Sequence, residues 1–247
     1  MSRNILLYNI IMSGDEKSGY IESLRHEISE SAGLTRDSVV KVEEAYESFL
    51  AEFSDLDAYI HNKKRDLERK EGVSHNERSL AQQYHDLNTT IAQFFSEGLL
   101  KDFNGLKFAG KDRFIGELDE AGRVSKEGPD KLNKEQVGDI SAGLNSDLNT
   151  WFGVVEDRAV SLAGCFRSSD RIVREMEALI SFNERHEPDS PILSDLREIY
   201  DKFSSIRDAV SNVRDVTYAE NSPGVNAIGT GNKCSKSLYA LVSALYA

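Results

Sequence analysis

Residues 39–67 read VVKVEEAYESFLAEFSDLDAYIHNKKRDL, and the spacing of their apolar members decides the fold. Val39, Val42, Tyr46, Phe49, Phe53, Leu56, Ile60, Lys63 and Leu67 follow one another at alternating steps of three and four. That alternation places every member on one narrow stripe of an α-helix, and over four heptads it is the pattern of a coiled-coil seam. A second stretch, Ile192, Leu196, Ile199, Phe203, Ile206, Val210, Val213 and Thr217, repeats the pattern. Tyr46, Phe49 and Phe53 are bulky for a two-stranded seam, which predicts a wider bundle around them.

Outward from the first stripe, Gly72 suits the position that closes a helix, and Ser74-His75-Asn76-Glu77 matches the S-x-x-E capping box that opens one. A stop and a start so close together predict a helix folded back antiparallel, with Leu80, Tyr84, Leu87, Ile91 and Phe94 as its stripe. Upstream, residues 16–32 read as a short amphipathic helix ended by Gly33. Downstream, glycines 105, 110, 116, 122 and 128 interrupt the pattern, and Leu106-Lys107-Phe108 alternates as a strand does, so a small irregular or β-hairpin insert is expected.

From Asn133 the stripe Val137, Ile140, Leu144, Leu148, Trp151, Val155, Ala159, Leu162 and Phe166 follows an 11-residue period, which implies nearly straight or right-handed packing. Gly153 and Gly164 predict a kink or split there. Ser190-Pro191 opens the next helix, antiparallel to the last. Ser222-Pro223-Gly224 through Gly231-Asn232 reads as a flexible linker, and Lys233–Ala247 as a terminal apolar helix. The expected fold is therefore all-α: an elongated bundle of antiparallel coiled-coil hairpins with a small insert. Its parts are 1–103, the insert 104–131, the second hairpin 132–218, and the linker with its helix 219–247.

A chain of 247 residues with 29% charged and 9% aromatic residues can bury a core. A net charge of −12 disfavours phosphate backbones and anionic lipid, so no nucleic-acid partner is expected. No apolar run reaches the roughly 18 residues needed for a membrane span. The apolar core of Ile5–Met12 is short for a signal peptide and no small-residue cleavage site follows, so the expected location is cytoplasmic, or exported without such a signal. Two cysteines, Cys165 and Cys234, form no disulfide framework and no zinc spacing with the histidines.

No chemical motif survives inspection. Gly105-Leu-Lys-Phe-Ala-Gly110-Lys111 has phosphate-loop spacing, but Asp112 stands where a hydroxyl is required. None of His26, His61, His75, His85 or His186 has an acidic residue three positions before it, which removes the di-metal use of a helical bundle. Trp151-Phe152-Gly153 resembles the W-x-G turn of small secreted helical-hairpin proteins, but Trp151 falls in register with the core stripe. No cofactor and no metal is expected.

The function expected from this pattern is a non-catalytic interaction or assembly module that binds a protein partner or a second copy of itself. An exported bacterial structural or virulence-associated factor is one form of it, and a cytoplasmic adaptor or regulator another. The rival is a helical enzyme with a site between the bundle and residues 105–128. The candidate contact residues are Lys63, Lys64, Arg65, Arg69 and Lys70 at the hairpin tip, and Leu238, Leu241, Val242 and Leu245 on the terminal helix. Lys63 occupies a seam position, where its stem could lie along the seam or its charge could set register. If the stripe is buried, Phe53→Asp places an unpaired charge in the core and destabilises severely; an unchanged thermal melt would put that ring in water.

Overall fold

The computed structural model describes residues 14–74, 78–127 and 133–246. Among them every regular element is helical and no strand occurs. The helices are α1 (Gly14–Val73), α2 (Arg78–Gln93), α3 (Lys111–Val124), α4 (Lys134–His186), α5 (Ile192–Tyr218) and α6 (Pro223–Tyr246). α2 continues through a π-helical segment, Phe94–Leu99, into a last α turn, Leu100–Asp102.

The chain divides into two compact units whose parts interleave along the sequence. The first comprises Met1–Glu43, Lys107–Glu156 and Thr217–Ala247; the second comprises Glu44–Leu106 and Asp157–Val216. Each takes four helical segments. In the second unit Phe53 lies near Phe95 and Glu71 beside His85, so α1 and α2 run in opposite directions. Arg197 pairs with Glu184 and Arg214 covers the Phe166 ring, so α4 and α5 do too. In the first unit the Thr35–Thr230 and Glu27–Ser237 hydrogen bonds set α6 antiparallel to α1. Arg113–Asp147 and Glu120–Gln136 set α3 antiparallel to α4.

The α1 stripe is longer than the sequence predicts. Ile21, Leu24, Ile28, Ser31 and Thr35 extend the buried series below Val39, so no break falls at Gly33. Ser31 and Thr35 are tolerated there because each hydroxyl bonds back to a carbonyl four residues earlier. Gly33 lies on the solvent side, where a Cβ would meet nothing.

α4 is likewise one helix through Gly153 and Gly164, and Trp151 lies in it with no turn. Its buried positions include Val137, Ile140, Leu144, Asp147, Trp151, Val155, Arg158, Leu162, Cys165, Ser169, Ile172 and Met176. Of the expected stripe, Val137, Ile140, Leu144, Leu148, Trp151, Val155 and Leu162 are buried. Beyond Val155 the 11-residue period is corrected, because Arg158 and Cys165 are buried where Ala159 and Phe166, both half-buried, were expected. A Cβ on Gly164 would come within 3.0 Å of Asp102 Cβ, so that glycine lets α4 approach the end of α2 rather than breaking the helix.

Two further expectations are corrected. Among its described residues the insert holds no β-hairpin: Phe103–Phe108 is irregular and α3 follows, burying Phe114, Leu118, Ala121 and Val124 on one face. Glycines 116 and 122 lie in α3 where a Cβ would meet nothing, so they weaken its propensity without obstructing its packing. The presumed linker is the first half of α6. Asn221 adopts a left-handed φ of 61°, a conformation Asn tolerates. Ser222 Oγ then accepts the Val225 N–H at 3.3 Å, and Pro223 takes the first helical position. The reading of residues 1–13 and most of the Ser74–Glu77 capping box lies outside the described residues. Asn133 does cap α4, accepting the Glu135 N–H at 3.0 Å.

The α5–α6 connection leaves no room for a side chain at Gly224, where a Cβ would sit 1.9 Å from the Thr217 carbonyl oxygen. Gly224→Ala should therefore cost about 2–4 kcal/mol by forcing backbone movement. Urea denaturation checks this, with Gly229→Ala, where a Cβ meets nothing, as the mild comparison.

Candidate functional site

Aromatic rings dominate the middle of the second unit. Phe53 stacks on Phe103 with centroids 3.8 Å apart, and Phe49 meets the same ring edge-on at 5.8 Å. Such pairs add about 0.5–1.5 kcal/mol to their burial. Arg158 is fully buried beside them, its guanidinium 3.8 Å from the Tyr46 ring centre and its Nε donating to the Leu106 carbonyl at 3.1 Å. A buried Arg that combines a ring face with a carbonyl acceptor holds a core together. No sequence signal marked it, because an arginine in a helix reads as surface.

Among the tip residues, Lys63 is buried, and its ammonium bonds Asp195 at 2.8 Å and also Glu198. Lys70 is half-buried and reaches Asp195 at 2.8 Å and Asp66 at 3.1 Å. Burial disfavours both ammonium forms, but the hydrogen bonds and charges of these carboxylates outweigh it and raise both pKa values. Tyr59 lies beside the cluster with its hydroxyl unpartnered; burial, then the charge of Glu198, raises its pKa strongly. Lys63 thus joins α1 to α5 at a defined register instead of extending its stem into solvent. Arg69 pairs with Asp66 at the surface, Arg65 is exposed, and Lys64 is half-buried. The five tip residues therefore divide into two that hold the core and three that face outward.

On α6, Leu238 and Leu241 have no accessible surface, while Val242 and Leu245 are half-buried. α6 is tied to α1 by Ser237 donating to Glu27 at 2.6 Å and by Lys233 at 3.2 Å from the same carboxylate. The Ser237 hydrogen bond, against a smaller effect of burial, holds Glu27 below the ordinary carboxylate value.

A shallow groove lies between α3 and the start of α4, lined by Arg113, Glu117, Glu120, Gln136, Asp139 and Ile140 among others. Arg113 is engaged by buried Asp147, and Glu120 accepts from Gln136 at 2.8 Å. Glu117 is raised by burial and then by the charge of Asp147. It is a perturbed carboxylate with no histidine among the groove's lining residues. The described histidines, His26, His61, His85 and His186, are exposed elsewhere. Among the described residues no group of three or more His, Cys, Asp or Glu could hold a metal ion. Cys165 and Cys234 are buried, and burial pushes their thiols up to about 12 and about 11.

The last stretch of α4 has a different character. From Glu177 to His186 no residue is buried, although Leu179, Ile180 and Phe182 are apolar. Phe182 is 60% exposed and its ring centre lies 4.5 Å from that of His186. Ile180 is half-buried, and the buried series ends at Met176.

No protein family, curated protein or solved structure matches this chain. No described helix is long and apolar enough to cross a membrane.

The Lys63 cluster makes a quantitative prediction. Asp195→Ala removes a carboxylate shared by two lysines and should cost about 3 kcal/mol or more. Lys63→Met combined with Asp195→Leu replaces the pair with apolar volume and should recover most of that loss. A double-mutant cycle by urea denaturation checks the sign of the recovery.

Proposed function

We propose that this chain is a non-catalytic helical interaction or assembly module whose paired helices act as coiled-coil hairpins. Its contact surface, on this reading, is the outer face of α4 from Glu177 to His186. The observation that carries the reading is an apolar helix face without a buried residue, on a helix whose preceding twelve core positions are all buried. Leu179 and Phe182 lie three residues apart, on one side of the helix, where a partner helix or groove could cover both. The outward-facing Lys64, Arg65 and Arg69 supply cationic groups in the same unit of an otherwise acidic chain, which suits a partner with an acidic rim.

The enzyme reading has less behind it. Its groove in the first unit brings one perturbed carboxylate, Glu117, and the neighbouring charges are engaged with one another. A general acid–base pair needs a second titratable group within hydrogen-bond reach of a substrate proton.

A photo-crosslinking amino acid placed at Phe182 and expressed in the native host should give discrete protein adducts. The same amino acid at Arg171, which is equally exposed on α4, should give none of the same mass. Phe182→Asp should abolish partner recovery with no change in melting temperature. Identical adducts from both positions, or none from either, would remove this face as the contact surface.

A further inference from the structure

Between Asp102 and Lys111 the main chain leaves the helical conformation, and this stretch holds the chain's single Asn-Gly pair, Asn104-Gly105. Both residues are exposed. The Gly105 N–H donates to no acceptor among the described residues, and glycine has no Cβ to shield that nitrogen. The Asn104 carbonyl oxygen is the opposite case. It accepts the Tyr46 hydroxyl at 2.9 Å and the Leu106 N–H at 2.8 Å. Asn104's own N–H is fixed on Ser161 Oγ at 2.8 Å.

We infer that Asn104 is a site of intramolecular deamidation, promoted by the two donors on its carbonyl oxygen. When the Gly105 amide gives its proton to water or hydroxide, the negative charge spreads from nitrogen onto the Asn104 carbonyl oxygen. The Tyr46 hydroxyl and the Leu106 N–H already point at that oxygen, and donors aimed where charge develops favour the charged form. The nitrogen attacks Asn104 Cγ; the N–Cγ bond forms, the Cγ–Nδ2 bond breaks, and Nδ2 leaves as ammonia with a proton from water. Water then opens the resulting five-membered imide at either carbonyl, giving aspartate or an isoaspartyl link. No electrons are exchanged and water is the one co-reactant.

The product alters its own surroundings. Either opening adds one negative charge. The isoaspartyl form also lengthens the main chain by one carbon and turns the former peptide carbonyl into a free carboxylate, so Tyr46 and Leu106 lose their peptide acceptor. Three other described asparagines, Asn145, Asn183 and Asn221, lack this arrangement. Asn145 and Asn183 lie inside α4, where the next N–H belongs to the helix ladder. After Asn221, the Ser222 N–H is bound to the Ala219 carbonyl at 2.9 Å.

The test is to incubate the full chain at mildly alkaline pH and follow each asparagine by peptide mass mapping. Asn104 should convert first, with the gain of about one dalton that marks replacement of NH2 by OH. Isoaspartyl methyltransferase should label the product, and Asn104→Gln should remove the label. Tyr46→Phe should slow conversion by about threefold or more, well below the roughly hundredfold lost from an enzyme oxyanion hole. Should Tyr46→Phe fail to fold, the wild-type chain in urea serves instead, because unfolding removes the Tyr46 donor and should slow conversion similarly. Conversion at Asn104 no faster in the folded chain than in urea, or trailing that at Asn221, would overturn the proposal.

Discussion

A single line of side chains along α1, from Ile21 to Leu67, is buried, and the rest of the fold is arranged to keep it so. Burying one Leu, Ile or Phe is worth about 1.5–3 kcal/mol, so a series of this length outweighs the weak propensity of individual residues. It carries α1 through Gly33, Ser31 and Thr35, each of which would favour a helix end in isolation. It also dictates what the other helices must supply. α2 and the irregular Phe103–Phe108 segment bring rings to Phe49 and Phe53, and α6 brings Leu238 and Leu241 to cover the core of the first unit.

Polar groups inside this core are held by specific partners. Asp147 is engaged by Arg113, Lys63 by Asp195 and Glu198, and Arg158 by the Tyr46 ring and the Leu106 carbonyl. A buried charge that finds its partner in only one alignment penalises every shifted alignment, which regular heptads of Leu and Val would tolerate. Lys63 is the clearest instance, since a shift along α5 would strand its ammonium in an apolar seam.

The helical class, the stripes on the second half of α1 and on α5, and the burial of Trp151 were all legible in the spacing of apolar residues. What escaped was of two kinds. Core positions filled by Ser31, Thr35, Arg158 and Ser169 carry no hydrophobic signal, so a series that uses them looks interrupted or acquires a false period. Glycine was read as a helix breaker, whereas at positions 33, 116 and 122 it faces solvent and at 164 it admits a neighbour. Ser222-Pro223 could have been recognised, since it is the same start signal as Ser190-Pro191; the glycines that follow it obscured the match. The exposed apolar stretch of α4 was harder still to read. Exposure depends on where a stripe ends, and on α4 the buried series ends at Met176 while apolar residues continue to Phe182.

The two thiols have a consequence for following the molecule in solution. Cys234 belongs to the first unit and Cys165 to the second, and neither has measurable surface. A thiol reagent attacks the thiolate, and burial withholds both ionisation and access. Alkylation of each sulfur therefore requires its own surroundings to come apart. The chain carries one internal reporter in each half, and the ratio of the two alkylation rates measures whether the halves open together or one at a time.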